Sequence, residues 1–167
     1  CHDLNKAFLF LYRKPPDLNI FFVRARITHL LGVPTMFHAL VSAPLEGRDL
    51  TSVRMIASGG APISPENIAR IRTTFPNATY VEGYGLTETG AVGTNNGAPY
   101  AFRHGSVGPA VLGTELRIVD AQGAVLPPGP DNVGEILLRS PAVMKGYLGR
   151  PDLTAEKFVE YDGRTWY

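Results

Sequence analysis

Residues 78–90 read ATYVEGYGLTETG, and this stretch decides the architecture that we expect. It opens with the apolar run ATYVEG at 78–83, which is typical of a strand buried on both faces of a parallel sheet. Two glycines then flank Tyr84, and a Thr-Glu-Thr run follows at 87–89. The pattern fits a ligand-binding loop at the end of a strand. It fits equally a loop whose polar residues only satisfy backbone groups.

Two similar apolar runs precede this strand, ITHLLG at 27–32 and VRMIAS at 53–58. A helical pattern follows each of them. Pro34 suits a first helical turn, and Ser64 followed by Pro65 suits an N-cap and the first position of a second helix. Strands that alternate with helices predict an α/β fold, a parallel sheet with flanking helices. The residues predicted to form the buried helix faces are Phe37, Leu40, Val41, Ile68, Ile71 and Phe75.

The pattern changes after about residue 105. GTELRIVD at 113–120 and GEILLRS at 134–140 read as strands separated by a turn-rich segment, which predicts a small antiparallel, barrel-like portion. We therefore divide the chain into an α/β part at 1–104 and the start of a β-rich subdomain at 105–167.

The ends of the chain add two further expectations. GRPDLTAEKF at 149–158 predicts a short helix that begins near Asp152 or Thr154. The chain starts at Cys1 without an initiator Met and stops on two large aromatic residues, which predicts an internal fragment of a longer protein.

Composition excludes several classes of function. The net charge is +1, from 16 Lys and Arg against 15 Asp and Glu, so no strong electrostatic field steers the chain toward nucleic acid or anionic lipid. Cys1 is the only cysteine, so an intramolecular disulfide and a cysteine-rich zinc site are excluded, and a reducing, cytoplasmic location is expected. The apolar run at 7–12 is too short for a membrane span.

The glycine-rich stretch SGGAPIS at 58–64 lies between a predicted strand and a predicted helix. Glycines there would let a flat ligand approach the backbone, and the free N–H groups of a helix N-terminus suit an anion or a purine edge. A tight strand-to-helix turn explains the same residues.

The second glycine stretch offers more chemistry. Tyr84 can stack on a base, the Thr87 hydroxyl can donate to an oxygen, and the Glu88 carboxylate can hold Mg²⁺. These are the requirements of a nucleoside triphosphate. The dinucleotide motif G-x-G-x-x-G is broken at Glu88, and neither a Walker motif nor G-x-S-x-G occurs. The four histidines, at positions 2, 29, 38 and 104, show no metal-binding spacing, and His38 is expected on a helix surface.

Taken together, these stretches resemble consecutive motifs of the AMP-forming acyl-CoA synthetases, within the adenylate-forming superfamily. The order and spacing of several motifs carry the resemblance, which covers nearly the whole chain. The matching stretches are ITHLLGVPTMFHAL (27–40), SGGAPIS (58–64), VEGYGLTETG (81–90), GSVGPAVLGTELRIVD (105–120), VGEILLRSP (133–141), VMKGYLGRPDLTAEKF (143–158) and DGRTWY (162–167).

The resemblance implies a role for individual residues. Thr87 and Glu88 would be catalytic: Thr87 would bind the phosphate or acyl-adenylate oxygen, and Glu88 would bind Mg²⁺ on the ATP phosphates. Gly85 and Leu86 would lie beside the acyl substrate, and the small Gly85 would leave room for its carboxylate. The nucleotide-binding residues would be Gly59, Gly60, Ala61, Pro62, Glu82, Gly83, Tyr84, Gly85 and Thr87, with Tyr84 stacking on adenine.

The family reaction that the resemblance implies has two halves. A carboxylic acid reacts with ATP to give an acyl-adenylate and pyrophosphate, and coenzyme A then displaces AMP to form a thioester. The implied partners are therefore the acid, ATP and coenzyme A, with Mg²⁺. The stretch at 143–158 resembles ligases of fatty or related acids, so a fatty acid is the expected substrate; a relative of the luciferases or of the aryl-acid-activating enzymes is an alternative.

Parts of the family pattern are absent from this sequence. The Ser/Thr/Gly-rich phosphate loop would lie before residue 1, and the ribose-binding aspartate and the C-terminal domain with its lysine would follow Tyr167. We therefore expect the isolated chain to be inactive. A non-catalytic scaffold or interaction piece is the alternative from another functional class.

Overall fold

The computed structural model describes residues 26–167, which form two compact units. The sheet unit contains residues 26–83 and 96–108. The ribbon unit contains residues 84–95 and 109–167.

Some expectations fall outside the described residues, namely those for the apolar run at 7–12, Cys1 and His2. The predicted division of the chain between residues 104 and 105 stays a prediction. Within residues 26–167, no helix has the length and apolar character needed to cross a membrane.

The sheet unit is built on a parallel sheet with strand order β1-β2-β3. The strands are β1 (His29–Gly32), β2 (Met55–Gly59) and β3 (Thr79–Gly83). Helix α1 (Pro34–Val41) connects β1 to β2, and helix α2 (Pro65–Thr74) connects β2 to β3. This arrangement confirms the predicted α/β class.

Both helices begin where the local sequence predicts. In α1 the carbonyl of Val33 accepts from the N–H of Phe37 at 3.3 Å, and proline occupies the first helical turn. In α2 the side chain of Ser64 accepts from the N–H of Asn67 at 3.2 Å, and Glu66 lies in the positive first turn. These caps fix where each helix starts after its strand.

One hydrophobic cluster covers one face of the sheet. The predicted helix faces are buried in it, with Val41 packed at its edge. The expectation that strands are buried on both faces is wrong: Leu31 in β1 is 54% exposed, because α1 and α2 pack into the same cluster and so cover the same face. Members of the cluster are Leu30, Phe37, Leu40, Leu50, Val53, Ile56, Ile68, Ile71, Phe75 and Tyr80.

The ribbon unit contains two antiparallel pairs of strands and one short helix. Strand β4 (Glu115–Val119) pairs with β5 (Glu135–Arg139), and β6 (Val159–Tyr161) pairs with β7 (Arg164–Trp166). Helix α3 (Pro151–Lys157) leads into β6. The predicted β-rich portion is confirmed, while barrel closure stays a prediction.

A second, smaller core holds the two pairs of strands together. Trp166, 1% exposed, packs with Val119 and Leu137, and its indole N–H donates to the carbonyl of Tyr161 at 3.2 Å. The Arg117 guanidinium lies 5.1 Å from the Trp166 ring centroid, which adds a cation–π contact.

Helix α3 begins at Pro151, slightly earlier than the expected start near Asp152 or Thr154. Proline suits the first helical position because its fixed φ is already helical and its missing N–H is not needed there. The N–H of Thr154 donates to the carbonyl of Arg150 at 3.0 Å and closes the first turn.

Candidate functional site

The sheet unit carries the first group of predicted site residues where β2 and β3 end. Gly59 and Gly83 are paired neighbours at these carboxyl ends. Gly60, Ala61 and Pro62 follow β2 and are exposed, and Gly60 has φ +80°, a left-handed conformation that favours glycine. Ligands of open parallel sheets bind outside the carboxyl ends of strands, so the position suits a binding role.

Glu82 in β3 is held by neighbours on both backbone and side chain. The Tyr80 hydroxyl donates to Glu82 Oε1 at 3.0 Å, and the backbone of Glu82 exchanges two hydrogen bonds with Asn96, at 2.9 and 2.7 Å. Burial, and next the nearby Glu82 charge, raise the pKa of Tyr80 above its ordinary value. The Tyr80 hydroxyl therefore stays protonated and can serve as a donor.

Asn96 connects strand β3 to residues 103–106. Its side chain is buried, and its amide nitrogen donates to the carbonyls of Arg103 and Ser106, both at 2.7 Å. Its amide oxygen accepts from the N–H of Arg103 at 3.0 Å. One amide thus uses both its donor and its acceptor to fix the segment beside β3.

In the ribbon unit, Tyr84 opens the loop that contains the remaining predicted site residues. Its carbonyl accepts from the N–H groups of Gly93 and Thr94, at 2.8 and 2.9 Å. Its own N–H donates to the hydroxyl of Thr94 at 3.1 Å, and Thr94 is completely buried. The backbone of Tyr84 is thereby fixed, and the residue as a whole is half-buried.

Gly85 occupies a position where no side chain fits. A Cβ there would lie 2.1 Å from the carbonyl oxygen of Ala91 and 2.9 Å from the nitrogen of Gly93. Because both neighbours are backbone atoms of the same loop, close backbone packing already requires glycine. The expected role of Gly85 beside an acyl substrate stays a prediction.

A short 3₁₀ turn at Thr87–Thr89 presents the two predicted catalytic residues. Thr89 is buried, and its hydroxyl donates to the carbonyl of Leu86 at 3.0 Å and accepts from the N–H of Leu86 at 3.1 Å. Thr87 is exposed, and Glu88 is partly exposed. The second threonine therefore builds the turn, while Thr87 and Glu88 project from it.

The Glu88 carboxylate is bound by an aromatic residue far along the chain. The hydroxyl of Tyr147 donates to Glu88 Oε1 at 2.8 Å, and the hydroxyls of Tyr147 and Tyr167 lie 3.0 Å apart. The pKa of Glu88 lies below its ordinary value because its own backbone N–H donates to the carboxylate, and the Tyr147 hydroxyl lowers it further. The hydrogen bond with Tyr167, and next that with Glu88, raise the pKa of Tyr147. At neutral pH the acceptor is therefore ionised and the donor protonated.

Backbone contacts bring the same two segments together. The N–H of Met144 donates to the carbonyl of Glu88 at 2.7 Å. Gly90 adopts φ +79°, and a Cβ on it would lie 2.6 Å from the Cβ of Ala142. The residues around Tyr147 thus pack directly against the turn that carries Glu88.

The donor set fits a metal ion that arrives with a nucleotide. Mg²⁺ is usually held by one or two carboxylates together with substrate phosphates and water. Glu88 is an ionised and partly exposed carboxylate of this kind. Among residues 26–167, no group of three or more His, Cys, Asp or Glu side chains could hold a metal on its own.

The described histidines are engaged in small local contacts. His29 Nδ1 lies 2.8 Å from the hydroxyl of Thr28, and His38 Nδ1 lies 3.2 Å from Oδ1 of Asn67. His38 is exposed on α1, as expected. The ring of His104 makes an edge contact with Phe102, at a centroid separation of 5.1 Å.

The structure distributes the predicted site residues between the two units, and their functional roles stay predictions. The sheet unit holds the glycine stretch after β2 together with Glu82 and Gly83, and the ribbon unit holds residues 84–88. Sequence reasoning missed Tyr147 and Tyr167 as partners of Glu88. The stretch around Tyr147 supported the family resemblance, but no role was attached to its aromatic residue.

Comparisons with known proteins agree with these motifs. The sequence model of the family described as "AMP-binding enzyme" matches residues 7–148. A "4-coumarate--CoA ligase-like 6" of Oryza sativa subsp. japonica is 44% identical over 79% of this chain and 22% of its own length. A "Feruloyl-CoA synthase" of Amycolatopsis sp. is 40% identical over 78% of this chain and 26% of its own length.

A solved structure shows the same likeness in three dimensions. The crystal structure of ATP-bound MatB from Rhodopseudomonas palustris superposes with a TM-score of 0.76 and 31% identity, over 92% of this chain and 29% of that one. The chain spans about a quarter of the length of the curated relatives it matches. Family match, motif order and fold agree: the chain belongs to the AMP-binding enzymes, the adenylate-forming superfamily that includes the AMP-forming acyl-CoA synthetases.

Proposed function

We propose that this chain supplies part of the adenylation site of an ATP-dependent carboxylic acid:CoA ligase. The observation that carries the proposal is the 3₁₀ turn in a member of the AMP-binding family, where Thr87 and Glu88 project from a turn built by Thr89. The relative crystallised with ATP supports a nucleotide as the ligand.

In this proposal, base binding is assigned residue by residue, as the family resemblance implies. Backbone without bulky side chains lets the flat purine approach, and the Tyr84 ring stacks on it. The proposed base-binding residues are Gly59, Gly60, Ala61, Pro62, Glu82, Gly83 and Tyr84.

The residues of the turn act on the phosphates. The Thr87 hydroxyl donates to an oxygen of the α-phosphate, or of the acyl-adenylate formed from it, and Glu88 is the residue that would hold the Mg²⁺ that accompanies ATP. At Glu88 that ion would supply positive charge against the phosphates, and an anionic carboxylate could then approach them. Gly85 and Leu86 flank that carboxylate.

The reaction proceeds in two displacements. A carboxylate oxygen attacks the α-phosphorus of ATP, the bond from that phosphorus to the bridging oxygen breaks, and pyrophosphate leaves. The thiolate sulfur of coenzyme A then attacks the acyl carbon, and AMP leaves with the electrons of the broken C–O bond. The chain's residues contribute by positioning and by fixed charge.

The resemblance of the stretch at 143–158 to ligases of fatty or related acids favours a fatty acid as the substrate. A second candidate is an aryl acid of the hydroxycinnamic type, because several similar relatives carry the names of 4-coumarate and feruloyl CoA ligases. The two candidates differ in the shape of the acyl pocket and share the adenylation chemistry.

The test is carboxylate-dependent exchange of labelled pyrophosphate into ATP, measured on the complete polypeptide that carries this chain. The acids compared are a medium-chain and a long-chain fatty acid, 4-coumarate and ferulate. Glu88→Gln is expected to lower the rate by about 10²–10³, the size of effect seen when one electrostatic contact to the transition state is removed. Glu46→Gln, a matched change at an exposed position, should leave it unchanged.

Each outcome of the exchange assay decides something. Exchange with fatty acids alone supports the fatty-acid assignment, and exchange with 4-coumarate or ferulate alone supports the aryl one. No exchange with any of the four acids, while the polypeptide is folded, refutes both substrate assignments and favours the scaffold alternative. We propose that the isolated chain of 167 residues is inactive, and measurable exchange by that chain would refute this.

We also propose a cytoplasmic location. The support is the single cysteine, since a reducing compartment suits a chain without disulfides. Cell fractionation with an antibody to the chain tests it, and recovery of the protein in a secreted or membrane fraction would refute it.

A further inference from the structure

The segment 143–149, here called the Tyr147 segment, is fixed at both its ends within the ribbon unit. At one end the N–H of Met144 donates to the carbonyl of Glu88 at 2.7 Å. At the other, the N–H of Tyr147 donates to the hydroxyl of Thr154 at 2.9 Å, and that hydroxyl donates to the carbonyl of Arg150 at 2.9 Å. The first turn of α3 therefore sets the position from which the Tyr147 side chain extends.

Counting protons fixes the direction of the hydrogen bonds that reach Glu88. A phenol has one O–H proton and can also accept. Because the Tyr147 hydroxyl gives its proton to Glu88 Oε1, the 3.0 Å contact between the two phenols requires Tyr167 to donate to Tyr147. Tyr167 is itself fixed by two backbone hydrogen bonds with Leu138 in β5, at 2.7 and 2.9 Å. The chain of donors thus runs from Tyr167 through Tyr147 to the carboxylate.

We infer that Tyr147 is a positioning residue: its hydroxyl, oriented by Tyr167, holds the Glu88 carboxylate in one orientation before Mg·ATP binds. The inference rests on the proposed function of Glu88. An exposed glutamate samples many rotamers, and fixing them on ligand binding weakens the binding. A carboxylate already held by a phenol from a fixed loop loses less freedom, so it binds the metal–nucleotide complex more tightly.

A merely structural tie between two loops would give a different signature. Such a tie would affect folding and every ligand alike. A positioning role acts only through Glu88 and only on the ligand that Glu88 contacts, which is the metal bound to the nucleotide. The distinction can be measured as a difference between Mg·ATP and metal-free ATP.

The experiment is isothermal titration calorimetry on the complete polypeptide, with Mg·ATP and with ATP in EDTA. Tyr147→Phe keeps the ring and removes the hydroxyl. Its Kd for Mg·ATP is expected to rise about three- to tenfold, the range for one lost hydrogen bond. Its Kd for metal-free ATP should change by less than about twofold.

Two further variants test whether the effect of Tyr147 on Mg·ATP binding acts through Glu88 and involves Tyr167. In a Glu88→Gln background, Tyr147→Phe should shift the Kd for Mg·ATP by less than about twofold, since the residue it positions has lost its charge. Tyr167→Phe should weaken Mg·ATP in the same direction but less, and it keeps the inference testable if Tyr147→Phe fails to fold. The matched control is Tyr161→Phe in β6, whose ring packs against the Trp166 core.

The outcomes separate this inference from the proposed function. Wild-type protein that binds no Mg·ATP refutes the proposed function and, with it, the inference. Wild-type protein that binds Mg·ATP while Tyr147→Phe binds it equally well overturns the inference alone. Equal weakening of Mg·ATP and metal-free ATP, or an unchanged effect in the Glu88→Gln background, also overturns it.

Discussion

The hydroxyl of Tyr147 lies 2.8 Å from Oε1 of Glu88, although 59 residues separate the two along the chain. The contact joins the loop before α3 to the 3₁₀ turn that carries the predicted catalytic pair. The Glu88 carboxylate is thus contacted by a segment whose sequence suggests no chemistry. The environment of the turn is therefore formed in part by residues of the ribbon unit that lie far from it in sequence.

The first prediction concerns the close backbone packing at Gly85. Gly85→Ala places a Cβ 2.1 Å from the carbonyl oxygen of Ala91, and a backbone atom cannot move aside as a side chain can. We expect a loss of roughly 3 kcal/mol in the free energy of unfolding. Hydrogen exchange should show faster exchange at the amides of Gly93 and Thr94, which donate to the carbonyl of Tyr84.

Gly129→Ala is the matched control for this change. Its nearest neighbour is the amide nitrogen of the Asn132 side chain at 2.9 Å, which can move aside at the cost of one exposed hydrogen bond to the carbonyl of Pro127. We expect an effect within about 0.5 kcal/mol for the control. Equal effects of the two substitutions on stability would contradict the packing argument for Gly85.

The strands and helices of the sheet unit could be predicted because their signals are local. Apolar runs mark the strands, and Pro34 and Ser64 mark the helix starts, since capping depends on residues a few positions apart. Exposure of Leu31 could not be predicted, because it depends on both helices covering the same face of the sheet.

The site residues divide in the same way. Thr87 and Glu88 stand in one short motif with Gly83 and Gly85, so the sequence alone identifies them as candidates. Tyr147 and Tyr167 meet Glu88 only after the ribbon unit has folded, and no periodicity encodes that contact. At Gly85, the family resemblance implies room for a substrate, while the structure shows backbone of the same loop. Both explanations require the absence of a Cβ, so the sequence could not separate them.

The two threonines of the turn should have separable effects. Thr89→Ala removes the hydroxyl that bonds both backbone groups of Leu86, and it leaves a partly buried N–H without that acceptor. We expect a loss of about 1–3 kcal/mol in unfolding free energy. Thr87→Ala, at an exposed position, should change stability by less than about 0.5 kcal/mol.

The effects of Thr87→Ala on stability and on activity should differ: little change in stability and a clear loss of activity. If Thr87 binds a phosphate oxygen as proposed, Thr87→Ala lowers the rate of pyrophosphate exchange in a protein of unchanged stability. Urea denaturation and the exchange assay on both variants make the comparison. A stable Thr87→Ala protein with the full wild-type exchange rate would remove Thr87 from the proposed site.

Asn96 is predicted to be a stabilising residue of the sheet unit. Asn96→Ala removes hydrogen bonds to the carbonyls of Arg103 and Ser106 and from the N–H of Arg103, at a residue that is 2% exposed. Leaving such groups without partners should lower the free energy of unfolding by about 2–4 kcal/mol. The N–H of Arg103 should exchange faster with solvent, and mass spectrometry of deuterium uptake would detect this.

The control for Asn96 is Asn77→Ala. Asn77 is exposed, and its amide donates to the carbonyl of Thr51 at 3.4 Å, a long and weak contact. We expect a change below about 0.5 kcal/mol. A similar loss at both positions would mean that the buried network around Asn96 adds nothing beyond an ordinary surface amide.

The Arg150–Asp152 ion pair lies at the start of α3, the helix that anchors the Tyr147 segment. We expect its contribution to stability to depend on pH. The guanidinium of Arg150 donates to both carboxylate oxygens of Asp152, with its Nη2 at 2.8 Å from Oδ2. This contact, and next the N–H of Leu153, hold the pKa of Asp152 below its ordinary value of 3.8.

Because the folded pKa of Asp152 is the lower one, the stabilisation from this pair is present above pH 3.8 and disappears as the pH falls through the folded value. Arg150→Gln should raise the pKa of Asp152 toward 3.8, which carboxyl-carbon NMR titration would measure, while Arg164→Gln, whose carboxylate partner is Glu115, should not. Both side chains are exposed, so added salt should shrink the difference between wild type and Arg150→Gln. An Asp152 pKa that is the same in both proteins would show that the backbone N–H groups of α3, rather than Arg150, hold this carboxylate in its ionised form.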